Sequence, residues 1–279
     1  MHFAYPPRKN SNPPLFRPRS TRLSLLRRSR LRTIALVFLA CVAAAYFLFG
    51  SSKPSLYHER VPSGSPPVVL VTVIDPTTWD NAYLNTVKEN REKYAAKHGY
   101  EAMVVKAFDY DSHGAPPSWA KVVAMRHALS KYPDCNFIWY LDQNAFIMDP
   151  TKSLESLVLE TKTLETLMIK DYPVVPPDSI IKTFSHLRGQ DADFIVSQDK
   201  DSLVHTSEHI VQWHPTVLSK LALVPQRTFA AYSKAELGDS YQKGDFVVLF
   251  PDCKPTGPQS CETESKRYLA DWRSALGLR

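Results

Sequence analysis

The sequence lacks several patterns that would point to a common function. No Asn-x-Ser/Thr triplet occurs among its 279 residues, which excludes N-linked glycans on the chain. No Gly-x-Ser-x-Gly motif is present, so a serine-hydrolase elbow is excluded as well. His205, His209 and His214 have no cysteine near them, and the nearby Glu208 faces elsewhere on a helix. A tetrahedral zinc site is therefore not predicted.

Acidic residues are absent from residues 1–32, which carry nine basic side chains. The formal net charge of the whole chain is +6, so the other 247 residues hold 25 basic and 28 acidic side chains and are slightly acidic. The basic character therefore belongs to a tail and not to the folded part. A basic tail is compatible with nucleic-acid binding, but the uncharged stretch that follows favours a membrane, and no nucleic-acid partner is predicted.

Residues 33–50 contain no charged side chain. A stretch of this length is near the lower limit for spanning a bilayer, and a basic flank stays on the cytoplasmic side. The pattern indicates a type II signal anchor that attaches the chain to a membrane through residues 33–50. A cleaved signal peptide is the alternative, and the aromatic end Tyr46-Phe47-Leu48-Phe49 disfavours it because no small-residue cleavage site follows. The short span fits the thin membranes of the early secretory pathway.

Composition divides the chain into four parts. They are a basic cytosolic tail (1–32), a transmembrane signal anchor (33–50), a Ser/Pro-rich stem (51–67) and a luminal domain (68–279). Of the four cysteines, Cys41 lies in the anchor and Cys135 is expected to be a small buried hydrophobe. Cys253 and Cys261 bracket a turn-rich loop and are candidates for a disulfide in an oxidising lumen.

Apolar segments alternate with helical patterns in the first half of the luminal domain. Strands are predicted at Val68–Ile74, Glu101–Val105 and Phe137–Leu141, and helices at Ala82–Gly99 and Trp119–Tyr132. This alternation predicts an α/β fold with parallel strands, right-handed crossovers and helices on both faces. Because residues 137–141 are apolar throughout, they are expected in the middle of the sheet. The second half is predicted to contain helices at Ser153–Leu167 and Glu262–Leu276, strands at Asp193–Val196 and Phe246–Phe250, and a loop at Asp171–Ile180.

The sequence Asp142-Gln143-Asn144 directly follows the third predicted strand. Ligands of open α/β sheets bind beyond the carboxyl ends of such strands, and carboxylate or amide oxygens suit Mn²⁺ or Mg²⁺. Asp142 and Asn144 are therefore candidate metal ligands, and the metal would offset charge on a departing nucleoside diphosphate. Asn144 offers only a neutral oxygen, so the site is expected to be weaker than one with two carboxylates. The alternative is a strand that simply ends in a polar turn.

Two further candidates for donor binding lie at the ends of neighbouring elements. Asp75 follows the first strand and either contacts a base or ribose or begins a turn. Lys121 opens a helix that Ser118 is expected to cap, and it either reaches a diphosphate or is solvated. Capping and surface packing are expected for Asn90 and Arg91. No catalytic nucleophile or base is assigned.

Motifs across residues 68–272 resemble glycosyltransferase family 34, the fungal Golgi galactosyl/mannosyltransferase group. They are, in order, Val69–Asp75, Asn90-Arg91-x-x-Tyr94-Ala95-x-x-His98-Gly99-Tyr100, Trp119-Ala120-Lys121, Trp139–Gln143 with Ala145, Ile147 and Met148, Val224–Arg227, Gly244–Val248 and Cys253…Cys261-Glu262. Within this family, the sequence resembles the subunit type of the fungal α-1,6-mannosyltransferase complex. The resemblance implies a GT-A fold, a GDP-mannose donor, a glycan acceptor, retention of configuration, other mannosyltransferase subunits as partners, and Golgi residence as a single-pass type II membrane protein.

Three departures from the family pattern bear on activity. Asn144 replaces the second Asp of the metal motif, and Leu249 stands where the family has a His that helps to hold the metal. The family also carries several dozen residues between the segments that correspond here to Asp193–Val196 and Ile210–Pro215, which are nearly contiguous in this chain. Two functions remain open: an active retaining mannosyltransferase, and a non-catalytic structural subunit of the same complex with a degenerate metal and donor site.

Overall fold

The computed structural model describes residues 33–42, 63–111, 114, 116–173, 181–198 and 215–277. The chain divides into two units, Met1–Arg60 and Val61–Arg279. Residues 33–42 are helical and exposed. No helix in the described ranges is long and apolar enough to cross a membrane. The tail, the rest of the predicted anchor and most of the stem lie outside the described residues.

The second unit mixes strands and helices. Its described strands are β1 (Val68–Ile74), β2 (Glu101–Lys106), β3 (Phe137–Tyr140), β4 (Ala145–Ile147), β5 (Phe194–Ser197), β6 (Leu221–Val224), β7 (Ala231–Tyr232) and β8 (Val247–Leu249). Its described α-helices are α1 (Asn81–His98), α2 (Ala120–Lys131), α3 (Thr161–Leu167), α4 (Pro215–Leu218) and α5 (Cys261–Ala275). The predicted α/β class and the order of the first five elements are confirmed.

The strands β1, β2 and β3 form a parallel sheet with the order β2-β1-β3. Alternate residues of β1 point to opposite faces, so Val68 and Leu70 pack in one core with Tyr94 of α1, whereas Val69 packs in another with Ala124 of α2. Both faces of β1 are therefore covered by helices, as a buried parallel strand requires. Cys135 is buried in the second of these cores, as predicted.

The prediction that residues 137–141 form the middle of the sheet was wrong, because β1 is the central strand and β3 lies at one side. Phe137 is 42% exposed. No other strand in the described part of the chain pairs with β3. Trp139 instead stacks on Phe246 at 5.6 Å and contacts Phe229 at 5.9 Å, measured between ring centroids. The aromatic character of β3 thus reflects ring packing as well as strand burial.

A second sheet has the order β4-β8-β7. The strands β4 and β8 are antiparallel, with Ala145 opposite Leu249, and β7 runs parallel to β8. Helix α5 covers this sheet through Trp272, which packs with Phe146 and Phe250 in one core. The remaining strands, β5 and β6, form a parallel pair.

Several predicted boundaries differ from the structure. Helix α1 ends at His98, and Gly99 stops it as predicted by taking the C-cap position with the left-handed φ of 69° that glycine adopts freely. Ser118 does not cap α2, because it lies within a 3₁₀ turn and Trp119 takes the N-cap position without a side-chain bond. The predicted helix at Ser153–Leu167 is divided by Glu160, whose extended backbone separates a π-helical turn from α3. His205, His209 and His214 lie outside the described residues.

Candidate functional site

The turn Asp142-Gln143-Asn144 connects β3 to β4 and therefore joins the two larger sheets. The Asp142 carboxylate accepts a hydrogen bond from the Asn144 backbone N–H at 2.9 Å and one from the Tyr140 hydroxyl at 3.3 Å. The first of these bonds closes the turn. Asp142 is half-buried, so the turn presents a carboxylate that is only partly shielded from solvent.

The side chain of Asn144 packs against the start of helix α5. Its Oδ1 atom lies 3.7 Å from the Sγ atom of Cys261. A disulfide joins Cys261 to Cys253, so this sulfur has no proton to donate and the contact is one of packing. The amide oxygen proposed as a metal ligand is thus directed toward the disulfide in this structure.

Arg91 of α1 holds the turn from the core side and is fully buried. Its guanidinium donates to the carbonyl oxygens of Asp142 at 2.8 Å and of Ala145 at 2.7 Å. It also donates to Thr72 Oγ1 at 3.2 Å and to Asn90 Oδ1 at 2.5 Å. The expected surface packing of Arg91 was therefore wrong, because the unpaired carbonyls on either side of the turn draw the guanidinium into the core.

Asn90 completes this support on the neighbouring strand. Its amide donates to the carbonyl of Ile147 at 2.9 Å and accepts from the backbone N–H of Ile147 at 3.0 Å. Ile147 pairs with Val247 of β8 on its other side. The Asn90 side chain therefore makes the two hydrogen bonds with Ile147 that a neighbouring strand would make. Asn90 and Arg91 together connect the two sheets.

Arg91 forms no ion pair with a carboxylate in the described part of the chain. Burial lowers the pKa of its guanidinium to about 10, and the charge of Asp142 and the phenols of Tyr83 and Tyr140 work against that decrease. Tyr83 also donates to the carbonyl of Gln143 at 2.9 Å. Asp142 is thus the carboxylate whose charge most directly compensates a buried cation.

Lys121 lies near the same carboxylate. Burial lowers the pKa of its ammonium group, and the charge of Asp142 opposes that decrease. Its Nζ atom is 5.9 Å from the centroid of the Tyr140 ring, a cation–π distance. The structure therefore brings Lys121 and Asp142 together, although they are 21 positions apart in the sequence. At this edge of a parallel sheet, a carboxylate suits a metal ion and a neighbouring cation suits a phosphate. Together they suit a phosphate ligand that binds with a metal ion.

Asp75 contacts the turn through its backbone, whereas its carboxylate binds residues that directly follow it in the sequence. Its backbone N–H donates to Gln143 Oε1 at 3.0 Å. Its carboxylate accepts from the Thr77 backbone N–H at 3.0 Å and from the Thr78 hydroxyl at 2.6 Å. Partial burial works against the charged form, but the bonds from Thr77 and Thr78 together outweigh it and lower the pKa of Asp75. The structure shows the turn, and a contact with a base or ribose stays a prediction.

The chain offers few ligands to a metal in this region. Leu249 lies opposite Ala145, and the next backbone N–H, that of Phe250, donates to the carbonyl of Asn144 at 2.8 Å. Leu249 thus occupies a place beside the turn without supplying a ligand. Within the described ranges, no three His, Cys, Asp or Glu side chains cluster closely enough to hold a metal ion. The residues fit a cation that is held together with substrate phosphates, as Mg²⁺ commonly is, better than one that binds alone.

The sequence interpretation missed Arg91, Asn90 and Tyr83 as residues that support the site. Val87, Arg91, Tyr94 and Ala95 lie at helical spacing on the buried face of α1. An arginine within an otherwise apolar helix face is a signal that it binds buried acceptors, since such charges are seldom fully buried without partners.

Comparison with known proteins identifies the family. The model of the galactosyl transferase GMA12/MNN10 family matches residues 64–207 and 204–260, which is more than half of the chain. The chain belongs to this family. The resemblance to glycosyltransferase family 34 is thereby confirmed. The two matches overlap at residues 204–207, within the stretch where the sequence predicts that residues of the family pattern are missing.

Relatives in the GMA12/MNN10 family differ in the sugar that their names specify. An uncharacterized alpha-1,2-galactosyltransferase of Schizosaccharomyces pombe, C8D2.17, is 26% identical over 67% of this chain and 67% of its own length. The probable alpha-1,6-mannosyltransferases MNN11 and MNN10 of Saccharomyces cerevisiae are 25% and 30% identical, over 74% and 59% of this chain. These matches span 62% of MNN11 and 54% of MNN10.

Comparison with solved structures gives, among others, one match at low sequence identity. It is a glycosyltransferase involved in the glycosylation of the major capsid of PBCV-1, with a TM-score of 0.46 and 13% identity over 73% of this chain and 98% of that chain.

Proposed function

We propose that the protein transfers mannose from GDP-mannose to mannan or N-glycan chains, forming α-1,6 linkages with retention of configuration, as a subunit of a mannosyltransferase complex. The observation that carries the proposal is that Lys121 and Asp142 both contact Tyr140 at the carboxyl edge of a parallel sheet, Lys121 through its Nζ atom 5.9 Å from the ring centroid and Asp142 by accepting from the hydroxyl at 3.3 Å. Membership of a glycosyltransferase family and the names of MNN10 and MNN11 support it. A GT-A arrangement of the nucleotide-binding half is part of the proposal.

In this proposal each side chain of the site has a separate role. Asp142, with Asn144, would hold Mn²⁺ or Mg²⁺, and the bound metal would neutralise charge on the departing GDP. Lys121 adds a positive charge beside the diphosphate. Arg91 and Asn90 keep the turn in place by binding its backbone carbonyls and the adjoining strand. Asp75 orients Gln143 and adjoins the place of the nucleotide.

The proposal includes a location. Residues 33–50 anchor the chain in a Golgi membrane, with residues 1–32 in the cytosol and residues 68–279 in the lumen. The uncharged stretch and its basic flank support this orientation. A disulfide between Cys253 and Cys261 suits an oxidising compartment.

A second candidate function is that of a non-catalytic subunit in the same complex. The small number of metal ligands favours it, because Leu249 and Asn144 replace the His and Asp of the family pattern. Under this proposal the fold serves to bind partner subunits, and the turn at Asp142 is a structural remnant of a donor site.

Donor binding by the purified full chain distinguishes the two candidates. Isothermal titration with GDP-mannose should give heat in the presence of Mn²⁺ and none after chelation with EDTA, and UDP-galactose should bind more weakly. Asp142→Ala should abolish the metal-dependent heat, whereas Asp271→Ala, on the exposed side of α5, should not change it. Absence of heat at millimolar donor with Mn²⁺ would contradict the catalytic proposal and favour the structural one.

A further inference from the structure

A polar cleft of about 560 Å³ lies between the segment that follows β7 and the first turns of α5. Its polar lining consists of Ser233, Lys234, Glu236, Thr263, Glu264 and Arg267. None of these side chains belongs to the donor site proposed above. The volume is within the range of about 300–1,000 Å³ that is common for small-ligand sites.

The cleft lies beside the turn at Asp142. Ser233 donates its backbone N–H to the carbonyl of Leu249 at 2.9 Å, and Leu249 lies opposite Ala145, the residue that follows the turn. On the other side of the cleft, Glu264 lies about one helical turn after Cys261, which contacts Asn144. One wall of the cleft is therefore bonded to the strand that pairs with Ala145, and the other follows Cys261, which touches the turn at Asn144.

An electrostatic effect indicates the same proximity. Burial raises the pKa of the Tyr83 phenol, and the negative charges of Asp142 and Glu264 add to that increase. Both carboxylates are therefore close enough to act on one ring. Glu264 and Asp142 therefore lie on the same side of the molecule, around Tyr83.

The polar groups of the cleft are ordered by contacts with one another. Glu264 accepts a hydrogen bond from the hydroxyl of Ser233, and it lies 3.8 Å from Lys234. Arg267 donates to the carbonyl of Ser233 at 2.6 Å. The Glu264 side chain is only 13% exposed. These contacts hold a carboxylate and a guanidinium in place before any ligand arrives.

The charges of the lining balance, because two cationic side chains face two carboxylates. An anionic ligand would meet Glu236 and Glu264, and an apolar ligand would remove four charged groups from water without replacing their hydrogen bonds. A polyhydroxylated ligand avoids both costs, since each hydroxyl donates to a carboxylate and accepts from a guanidinium or ammonium. The chemistry of the cleft therefore favours a neutral sugar.

We propose that this cleft binds a neutral saccharide unit of the glycan acceptor, with Glu264 and Arg267 hydrogen-bonded to its hydroxyls. The inference rests on the proposed glycosyl transfer, and it assigns the acceptor to α5 and the segment after β7. No part of the donor or the metal is needed for this contact. Acceptor binding should accordingly persist when donor binding is lost.

Saturation-transfer NMR on the purified full chain tests the inference without donor or metal. Methyl α-mannopyranoside and α-1,6-mannobiose should show transfer from the protein, and the disaccharide should bind more tightly. Glu264→Gln and Arg267→Met should each weaken binding by about tenfold, the loss that corresponds to one charge-assisted hydrogen bond. Glu262→Gln is the matched control, because Glu262 lies on the same helix, outside the cleft, and pairs with Lys266.

Variants that disturb folding are recognised by circular dichroism, and Lys234→Met then provides a second test at a more exposed position. Loss of the saccharide signal in Glu262→Gln as well as in Glu264→Gln would overturn the assignment to this cleft. No saccharide signal from a chain that still binds GDP-mannose would overturn the inference and leave the proposed function intact.

Two other outcomes separate the cleft from the donor site. Asp142→Ala should lose GDP-mannose binding and keep saccharide binding, which supports two independent sites. Competition of the saccharide signal by inorganic phosphate, or loss of GDP-mannose binding in Arg267→Met, would overturn the inference in favour of a phosphate site. Absence of both donor and saccharide binding in the unaltered chain would contradict the inference together with the proposed function.

Discussion

Two cationic side chains that differ in burial act on the charge of Asp142. Arg91 is fully buried behind the turn, whereas Lys121 is half-buried. Both positive charges act on the same carboxylate. A divalent cation at Asp142 would be repelled by both of them, so its affinity depends on phosphate oxygens that the substrate brings. A metal requirement that appears only with donor present is the expected behaviour.

Asp75 provides a pH-dependent test at the residue scale. Hydrogen bonds from Thr77 and Thr78 lower its pKa below the ordinary value of 3.8 in the folded chain. An acidic group with a lowered pKa contributes stability above its unfolded pKa, and that contribution is lost as the pH falls through its folded pKa. Asp75→Asn should therefore destabilise the protein more at pH 6 than at pH 3 in urea unfolding.

The control for this measurement is Asp271→Asn, which changes an exposed carboxylate on α5. Its effect should be small and similar at the two pH values. Equal destabilisation by Asp75→Asn at pH 6 and pH 3 would show that the charge of Asp75 does not stabilise the fold, in contradiction to the hydrogen bonds of its carboxylate.

At the scale of elements, helix α1 acts as the link between two sheets that share no backbone ladder. Asn90 binds both backbone groups of Ile147, and Arg91 binds the carbonyls on either side of the turn. Side chains thus supply the hydrogen bonds that a further strand would make. Because the sheets β2-β1-β3 and β4-β8-β7 meet at the candidate site, the geometry of that site depends on this helix.

Replacement of Arg91 tests this role. Arg91→Met should lower the free energy of unfolding by about 3 kcal/mol, because buried carbonyls lose their donor. Arg91→Lys should cost less, since an ammonium keeps the charge and some of the bonds. Lys88→Met, at an exposed position of the same helix, should change stability by less than about 0.5 kcal/mol. Urea unfolding of the full chain measures all three, and an Arg91→Met effect as small as that of Lys88→Met would contradict the role.

Helix α5 has a capped and cross-linked start, covers the second sheet and lines the polar cleft. Its N-cap Ser260 accepts from the backbone N–H of Thr263, and its first residue, Cys261, forms the disulfide with Cys253. Its buried face, through Trp272, covers β4 and β8. The same first turns line the polar cleft. A rigid helix start of this kind suits a binding site, because the ligand does not have to order it.

At the scale of the whole molecule, charge is distributed very unequally along the chain. The basic side chains of residues 1–32 precede an uncharged stretch and a slightly acidic remainder. We expect the chain to resist carbonate extraction from microsomes, and added protease to remove residues 1–32 while the C-terminal part stays protected. Replacing Arg27, Arg28, Arg30 and Arg32 by Glu should reduce the protected fraction.

Full digestion of the C-terminal part in sealed microsomes would contradict the proposed orientation. Release of the intact chain by carbonate would contradict the anchor itself. Digestion of the C-terminal part would also leave the disulfide between Cys253 and Cys261 without the oxidising compartment that supports it.

Local patterns in the sequence determined the order of the first five elements, the end of α1 at Gly99 and the buried state of Cys135. Hydrophobic periodicity and glycine conformation act over a few residues, so a linear sequence records them. They also placed Asp142 at the carboxyl end of a strand.

Only the tertiary structure decided that β1 is the central strand, that Arg91 holds the turn at Asp142, and that Ser233 and Glu264 line one cleft. These features depend on contacts between residues far apart in the sequence, such as the 51 positions between Arg91 and Asp142. Which strands pair, and which groups a buried charge binds, depend on the combined free energy of all such contacts. The physical reason is that burial makes an unpaired polar group costly wherever its partner lies along the chain.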